Sequence, residues 1–317
     1  MNRPLVIRLC NYIGDVVLSL PALQLLAAHG YEPHLYGAGW ASTLLTGTGW
    51  AVTKRGQGLR ARVGQLRSLR QQLRAAGAPQ DEAVWALAMP NSFSSALELR
   101  LGGFAVAGFA SDGRGFLLKK ALPAADGPHA AESFWAQACG LLGQRLPIPD
   151  RISLPLTAAA QDRAREVIAR HAGPQGDYVC IAPFAGGLVD KQPKRWPEFA
   201  AFAKRLEGLG LPILVCPGPA AEVEEARRLY PGAILIDKLP LDAYAALLGQ
   251  SKLVVANDTG PAHLAAASAA PLLSVLGPTK TRQWRPWGPT VTALGGDGQW
   301  PDTELVWQTA QAIVNRP

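Results

Sequence analysis

The length, composition and charge of the chain exclude several classes of protein. With 317 residues it exceeds the roughly 250 to 300 residues that one hydrophobic core usually supports, so we expect two domains. A hydrophobic content of 48% beside 17% charged residues is typical of a globular protein and excludes a disordered chain.

The chain begins with a short apolar segment that charged residues interrupt. Arg3, Arg8 and Asp15 exclude both a signal peptide and a membrane-spanning helix, so we expect a cytoplasmic protein. The segment predicts a strand over residues 5–9, a tight turn at Gly14, and a helix with Asp15 at its mouth.

The cysteines and histidines are scattered along the sequence. The four cysteines form no C-x-x-C pair and lie mostly in apolar patterns, which favours buried thiols in a reducing compartment. The five histidines form no group with the spacing of metal ligands, so the sequence indicates no metal site. For all of them except His263, an ordinary core or surface role is the better interpretation.

Positive charge is concentrated in the first half of the sequence. Residues 1–156 carry 15 Lys and Arg against nine Asp and Glu, whereas the remaining residues carry 16 against 15. No acid occurs between Glu32 and Asp81, but seven cations do: Lys54, Arg55, Arg60, Arg62, Arg67, Arg70 and Arg74. The apolar spacing over residues 59–76 predicts a basic amphipathic helix there. Its basic side is either a solvated face or a surface for nucleic acid, an anionic membrane or a phosphorylated lipid.

Short apolar strands alternate with helical patterns along the whole chain. This alternation predicts an α/β fold with parallel sheets flanked by helices. The predicted strands cover residues 5–9, 33–37, 83–89, 104–109, 178–183, 211–216, 233–236, 253–256 and 271–276. A proline-rich stretch over residues 146–155 separates two halves, and we place the domain boundary between residues 150 and 151. The segment Gly37-Ala38-Gly39 lacks the third glycine of a dinucleotide fingerprint, which disfavours a dehydrogenase.

One segment of the second half has the features of a phosphate site. A buried strand over residues 253–256 runs into a helix start, where Asp258 or Thr259 could cap and Pro261 suits the first turn. The unpaired N–H groups at the positive end of the helix dipole would then face an anion. They belong to Gly260, Ala262 and His263. A plain capped helix is the alternative interpretation.

A second segment combines a strand, a glycine turn and lysines. The strand over residues 178–183 ends in Gly186 and Gly187, and glycines allow the backbone to approach a ligand closely. Lys191 and then Lys194-Arg195-Trp196-Pro197 follow, and their positive charge precedes an amphipathic helix. This pattern also favours a bound anion.

Three motifs occur in an order and at distances that resemble one known family. They are Gly14-Asp15-Val16, Lys194-Arg195-Trp196-Pro197 and Asp258-Thr259-Gly260-Pro261-Ala262-His263. The segment Leu276-Gly277-Pro278-Thr279 adds to the likeness. The sequence therefore resembles the ADP-heptose:lipopolysaccharide heptosyltransferases, glycosyltransferase family 9, and the motifs bracket nearly the whole chain.

The resemblance implies a fold and a reaction. The family has the GT-B architecture, in which two Rossmann-like domains face each other across a cleft, and it inverts the anomeric centre. We accordingly expect an acceptor-binding domain over residues 1–150 and a nucleotide-sugar domain over residues 151–317, with helix 303–317 able to pack back on the first. The resemblance also implies an ADP-heptose donor and the anionic inner core of lipopolysaccharide as acceptor. We expect contact with the cytoplasmic face of the inner membrane, and neither a cofactor, a metal ion nor a nucleic-acid partner.

The resemblance implies roles for individual residues. Asp15 matches the family's catalytic base, although an aspartate at this position could instead only cap the helix. Lys194 matches the lysine that contacts the donor phosphates, and Lys191 could substitute for it. The other expected donor-binding residues are Gly187, Asp258, Thr259, Gly260 and His263. The basic stretch of the first half, in turn, supplies the residues expected to bind the acceptor, Arg55, Arg60 and Arg62.

A run of acids is a further candidate for the donor site. Glu222, Glu224 and Glu225 follow a predicted strand end, and one of them could accept the ribose hydroxyls. The spacing favours Glu222, but acids at a helix start are as often simple partners of the helix dipole.

Other functions fit parts of the same pattern. No motif residue is expected to recognise the side chain of heptose, so another nucleotide sugar would fit the motifs equally well. The short, arginine-rich loops of the first half depart from the best-known members and leave the acceptor open. A nucleotide-sugar epimerase or a non-catalytic sensor on the same scaffold is an alternative of another class.

Overall fold

The structure is a computed structural model that describes residues 3–77, 83–172 and 176–316. The chain divides into two compact units, Met1–Pro149 and Asp150–Pro317, and the proline-rich stretch crosses their boundary. Within the described ranges, every helix is too short or too polar to span a bilayer.

The first unit is built on a six-stranded parallel sheet. Its strands are β1 Arg3–Arg8, β2 Tyr31–Gly37, β3 Ala51–Lys54, β4 Trp85–Ala88, β5 Ala105–Phe109 and β6 Lys120–Leu122. Its helices are α1 Ile13–Ala28, α2 Trp40–Leu44, α3 Leu59–Ala75, α4 Phe93–Leu101 and α5 Ala130–Leu142. The order across the sheet is β3-β2-β1-β4-β5-β6. Val6 of β1 is fully buried and belongs to one core with Leu66 of α3 and Leu99 of α4.

The second unit repeats this architecture. Its strands are β7 Val179–Ala182, β8 Leu188–Val189, β9 Gln192–Pro193, β10 Ile213–Val215, β11 Ile234–Leu235, β12 Leu253–Asn257, β13 Leu272–Leu276 and β14 Val291–Gly295. Its helices are α6 Ala158–His171, α7 Phe199–Leu206, α8 Ala220–Leu229, α9 Leu241–Gly249, α10 Gly260–Ala267, α11 Thr281–Trp284 and α12 Thr303–Val314. The parallel sheet has the order β11-β10-β7-β12-β13-β14, and β8 and β9 form a separate antiparallel pair.

Both sheets reverse their strand order beside their first strand. In the first sheet β1 lies between β2 and β4, and in the second sheet β7 lies between β10 and β12. Loops that leave two such neighbouring strands diverge, and the crevice at their carboxyl ends is where doubly wound sheets bind ligands. The architecture therefore marks one candidate site in each unit.

The structure confirms the predicted α/β fold with parallel sheets. All nine predicted strands are present, and five others, β3, β6, β8, β9 and β14, were not predicted. These five are short or lie at a sheet edge, and none of the five residues of β14 is fully buried. They therefore lack the apolar run by which a buried strand is recognised in a sequence.

The last helix buries its apolar face within the second unit, and its packing on the first domain stays a prediction. The apolar face of α12, formed by Val306, Ala310 and Ile313, lies in the core of the second unit. The helix contacts β12 and β13 of that unit. The sequence shows that one face of this helix is apolar, but it does not show which surface will cover that face.

Gly277 provides a test of the packing in the second unit. A Cβ atom at this position would lie 2.4 Å from the ring of Trp300, which packs against the core. We expect Gly277→Ala to lower the free energy of unfolding by about 1–3 kcal/mol, because the ring must move. Gly64→Ala in α3 is the control, since a Cβ there meets nothing within 4 Å. It should raise the free energy of unfolding by about 0.5–1 kcal/mol. Urea unfolding measures both, and a neutral Gly277→Ala would contradict the close contact.

Candidate functional site

The site in the second unit is organised around one carboxylate oxygen. Asp258 follows β12 at the reversal of strand order and is only 6% exposed. Its Oδ2 accepts hydrogen bonds from Nζ of Lys194 at 3.0 Å and from Oγ1 of Thr279 at 2.6 Å. Three distant parts of the chain thus meet at a single oxygen. A buried carboxylate requires such partners, because burial without them costs several kcal/mol.

A neighbouring asparagine holds the lysine-bearing segment in place. Asn257 is fully buried at the end of β12. Its Oδ1 accepts a hydrogen bond from the backbone N–H of Trp196 at 3.0 Å, and its Nδ2 donates to the carbonyl of Pro183 at 2.5 Å. The Asn257 side chain therefore ties the end of β7 to the segment that begins with Lys194.

Arg195 fixes the glycine turn after β7. Its Nη1 donates to both carboxylate oxygens of Glu225, at 2.9 and 2.8 Å, and its Nε donates to the carbonyl of Ala185 at 3.1 Å. The guanidinium also lies over the ring of Phe184. Gly187 then adopts φ +80°, a conformation that strongly favours glycine. Lys194 and Arg195 thus have different structural roles although they are adjacent.

The structure separates the two candidate lysines and the three candidate glutamates. Lys191 lies at the exposed tip of the β8–β9 hairpin with φ +66°, whereas Lys194 reaches Asp258. Glu224 forms an ion pair with Arg227, and Glu225 with Arg195. Glu222 accepts from the backbone N–H of Gly218 at 2.9 Å, just before α8. A contact between Glu222 and a ribose remains a prediction.

The start of α10 differs in detail from the prediction. Thr259 occupies the N-cap position, but its side chain makes no capping hydrogen bond, and the oxygen of Asp258 is engaged by Lys194 and Thr279 instead. The N–H of Ala262 was expected to be unpaired, but it donates to the carbonyl of Thr259 at 3.1 Å. The expected side-chain cap is therefore absent: Asp258 pairs with residues distant in sequence, and the N–H of Ala262 bonds to a backbone carbonyl. Gly260 begins the helix, and His263 is buried within it.

Asp15 lies at the corresponding place in the first unit. Helix α1 begins at Ile13, so Gly14 and Asp15 both lie within its first turn. The prediction of a tight turn at Gly14 is therefore wrong, because the turn is formed by residues 9–12. Asp15 is partly exposed, and its charge adds to burial in raising the pKa of the Cys10 thiol. An acid in the first turn also interacts favourably with the helix dipole, so the position of Asp15 suits a structural role as well as a chemical one.

Two of the three arginines predicted to bind the acceptor converge on a buried acid. Glu98 on α4 is fully buried and forms ion pairs with Arg8 at 2.8 Å, Arg55 at 3.0 Å and Arg62 at 3.6 Å. Arg60 is exposed on α3. Burial lowers the pKa of Arg8, and the hydrogen bond that Arg8 donates to Glu98 opposes that shift.

Several of these residues were missed at the level of sequence. Asn257, Thr279 and Glu98 carry the two clusters, but none of them was assigned a role beforehand. For Glu98 the available signal was a charge in an apolar setting, since Arg8 ends a buried strand and Glu98 lies between two leucines, and Thr279 ends a segment that resembles the family. In the described part of the chain, His, Cys, Asp and Glu form no group of three that could hold a metal ion.

These features define the class of the protein. It consists of two doubly wound α/β units, and the second presents a lysine, a buried carboxylate and a helix N-terminus at the point where such folds bind phosphorylated ligands. The chain belongs to glycosyltransferase family 9, because the family model "Glycosyltransferase family 9 (heptosyltransferase)" matches residues 66–312. The resemblance inferred from the three motifs is therefore confirmed.

Known proteins are similar in sequence over part of the chain and in fold over almost all of it. Lipopolysaccharide heptosyltransferase 1 of Pseudomonas aeruginosa is 33% identical over 184 residues, which are 56% of this chain and 48% of that protein. The match thus spans about half the length of that relative.

Two solved structures share the fold. The glycosyl transferase family 9 protein from Veillonella parvula has a TM-score of 0.81 at 15% identity, over 98% of this chain and 97% of that chain. The ADP-heptose lps heptosyltransferase II of E. coli has a TM-score of 0.75 at 20% identity, over 99% and 98%. The fold is thus the GT-B fold of the heptosyltransferases.

Thr279 provides a test of the shared oxygen. We expect Thr279→Val to lower the free energy of unfolding by about 1–3 kcal/mol, because a buried carboxylate loses one of its two side-chain donors while the side chain keeps its size. Thr309→Val is the control, since its hydroxyl donates only to a backbone carbonyl on the exposed side of α12. That change should stay within about 0.5 kcal/mol. Chemical denaturation measures the free energy of unfolding of both variants. Equal effects would show that the buried carboxylate of Asp258 does not need the hydroxyl of Thr279 as a donor.

Proposed function

We propose that this protein is an inverting heptosyltransferase that transfers heptose from ADP-L-glycero-D-manno-heptose to the inner core of lipopolysaccharide. One observation carries the proposal: Lys194 and Thr279 hold Asp258 at the strand-order reversal of the second sheet, in a chain of family 9. The names of the Pseudomonas aeruginosa and E. coli relatives supply the sugar and the acceptor.

The second unit supports binding of the donor. The ammonium of Lys194 has three N–H donors and gives one to Asp258, so others are available to a diphosphate. The charge of Lys194 and the dipole of α10 would stabilise the leaving ADP as its bond to the sugar breaks. In this proposal Gly187 lets the backbone approach the phosphates, and Asp258 accepts hydrogen bonds from the sugar. Thr259, Gly260 and His263 of the helix start complete the donor site.

Asp15 is the proposed base in the first unit. Its carboxylate would take the proton of the acceptor hydroxyl as that oxygen attacks the anomeric carbon. The attack comes from the face opposite the diphosphate, so the new glycosidic bond forms as the bond to ADP breaks and the configuration inverts. The place of Asp15, partly exposed in the first turn after β1, supports this assignment.

The basic side of the first unit suits an anionic acceptor. Arg55 and Arg62 are partly exposed while paired with Glu98, and Arg60 is exposed. Helix α3 carries five arginines and no acid. We propose that this face meets the acidic core of the acceptor at the cytoplasmic surface of the inner membrane. We further propose that the reaction needs no metal ion, since Lys194 and the helix dipole supply the charge for the diphosphate.

Replacement of Asp15 tests the reaction. Asp15→Asn should lower kcat for heptose transfer by roughly 10²- to 10⁴-fold, because the variant keeps the shape of the side chain but cannot take a proton. The Kd for ADP should stay within about twofold, because this residue is assigned to the acceptor step. Transfer is measured with ADP-heptose, heptose-deficient lipopolysaccharide core and EDTA, and ADP binding is measured by calorimetry.

The matched control is Asp162→Asn, an exposed aspartate paired with Arg165 on α6, which should leave transfer unchanged. Full activity of Asp15→Asn would refute the assigned base. Consumption of ADP-heptose without acceptor would instead indicate an epimerase, and binding without turnover would indicate a sensor.

Replacement of Lys194 tests the donor site. Lys194→Gln should raise the Kd for ADP by roughly 10- to 100-fold, because a charged hydrogen bond to phosphate is worth about 1.5–3 kcal/mol. UDP and GDP serve as comparison nucleotides in the same calorimetric titrations, and both should bind more weakly than ADP. Lys204→Gln, an exposed lysine of α7, is the control and should bind ADP normally. An unchanged Kd for Lys194→Gln would remove this lysine from the donor site.

A further inference from the structure

Glu98 is a buried carboxylate to which three arginines donate or lie close. Its Oε1 accepts from Nε of Arg8 at 2.8 Å and from Nε of Arg55 at 3.2 Å. Its Oε2 accepts from Nη2 of Arg55 at 3.0 Å and lies 3.6 Å from Nη1 of Arg62. The three arginines come from the end of β1, the end of β3 and helix α3, so Glu98 joins three segments of the first unit.

The exposures within this cluster are graded. The side chain of Glu98 is 0% exposed and that of Arg8 is 3%, whereas those of Arg55 and Arg62 are 18% and 25%. Arg55 and Arg62 therefore contact the buried acid while part of each side chain reaches solvent. With three cations around one anion, the cluster retains excess positive charge after Glu98 has been paired.

A second set of hydrogen bonds fixes the backbone that carries Arg55. Oε1 of Gln65 accepts from the hydroxyl of Tyr36 at 3.0 Å and from the N–H of Gly56 at 2.8 Å. Nε of Arg62 donates to the carbonyl of Gly56 at 3.0 Å. Arg55 is consequently held at its backbone and at its guanidinium, which leaves it few alternative orientations.

The cluster also reaches the loop that leads to the proposed base. Nη1 of Arg8 donates to the carbonyl of Leu9, and Nη2 donates to Oδ1 of Asn11 at 2.8 Å. Asn11 lies four residues before Asp15, in the turn between β1 and α1. Through Arg8, the carboxylate of Glu98 therefore supports the geometry of this turn.

We propose that Glu98 is a positioning residue for the transfer reaction: it orders Arg55 and Arg62 for the anionic acceptor and, through Arg8, orders the turn that precedes Asp15. The inference rests on the proposed function, because it assigns the ordered arginines to that acceptor. Glu98 itself is buried and contacts no substrate. Glu98 acts by restricting the orientations of Arg55 and Arg62, which would contact the acceptor. Side chains that are already ordered lose less conformational freedom when they bind.

Glu98→Gln tests this role, because it keeps the size of the side chain and removes its charge. We expect the KM for heptose-deficient lipopolysaccharide core to rise at least tenfold and kcat to fall several-fold, while the Kd for ADP stays within about twofold. A purely electrostatic role predicts the opposite sign, since removing an anion makes the cluster more positive and should lower the acceptor KM. A role in folding alone predicts unchanged constants in the folded fraction. Either of these two results would overturn the proposal.

The control is Glu304→Gln, which removes an exposed acid that pairs with Arg205 in the second unit. It should leave all three constants unchanged. Glu98→Asp retains the charge and should recover much of the acceptor KM, which also covers the case in which Glu98→Gln fails to fold. If Glu98→Asp is no better than a folded Glu98→Gln, the ordering role is wrong.

A coupling measurement makes the test independent of the size of any single effect. Arg62→Ala should raise the acceptor KM in the natural protein and should have little further effect in the Glu98→Gln background, because Nη1 of Arg62 has already lost its carboxylate partner there. Multiplicative effects of the two substitutions would show that Glu98 and Arg62 act independently, and would contradict the proposal.

A spectroscopic readout separates this inference from the proposed function. In protein labelled with ¹⁵N at arginine, the Nε–H groups of Arg8 and Arg55 should exchange slowly with water, because both donate to Glu98. Exchange at Arg55, assigned with Arg55→Lys, should accelerate at least tenfold in Glu98→Gln. If the natural protein transfers no heptose, the proposed function fails, and the exchange rates still decide whether Glu98 orders these side chains. Unchanged exchange would refute the ordering directly.

Discussion

A carboxylate can be buried only where donors surround it, and each unit of this protein depends on one such carboxylate. In the second unit Asp258 gathers Lys194 and Thr279, which are 64 and 21 residues away in sequence. In the first unit Glu98 gathers Arg8, Arg55 and Arg62. Leaving either charge buried without partners would cost several kcal/mol, so the native packing brings these segments together around it. Lys194, assigned to the donor, and Arg55 and Arg62, assigned to the acceptor, are thus held by these pairings.

The parallel sheet determines where those pairings are useful. Both sheets reverse their strand order beside their first strand, so loops diverge at the carboxyl ends of β1 and β4 and of β7 and β12. Asp258 follows β12, the glycine turn follows β7, and Asp15 follows β1. The helices that begin at these ends direct their dipoles toward the same places. Two copies of one topology therefore place a carboxylate, Asp15, at one reversal of strand order and a lysine–carboxylate pair beside a helix N-terminus at the other.

Neighbours in sequence have divergent roles where the tertiary structure decides. Lys194 reaches Asp258, while adjacent Arg195 binds Glu225 and lies over Phe184. Thr259 stands at an N-cap without using its hydroxyl as a cap, and partners from other loops satisfy the carboxylate of Asp258 beside it. Local sequence patterns also do not show that Lys191 lies at an exposed hairpin tip or that Arg55 has a buried partner, Glu98.

Sequence alone determined the elements whose signals are local. Buried strands such as β12, the first-turn position of Pro261 and the order of the three family motifs follow from apolar runs, backbone restriction and residue spacing, and all of them are present in the structure or the family match. The exposed strand β14, the surface covered by α12, the helical place of Gly14 and the partners of Glu98 and Asp258 came only from the folded chain. The reason is physical: these features depend on which distant side chain satisfies a buried charge or covers an apolar face. That choice is made by packing among segments far apart in sequence, and periodicity within one segment carries no record of it.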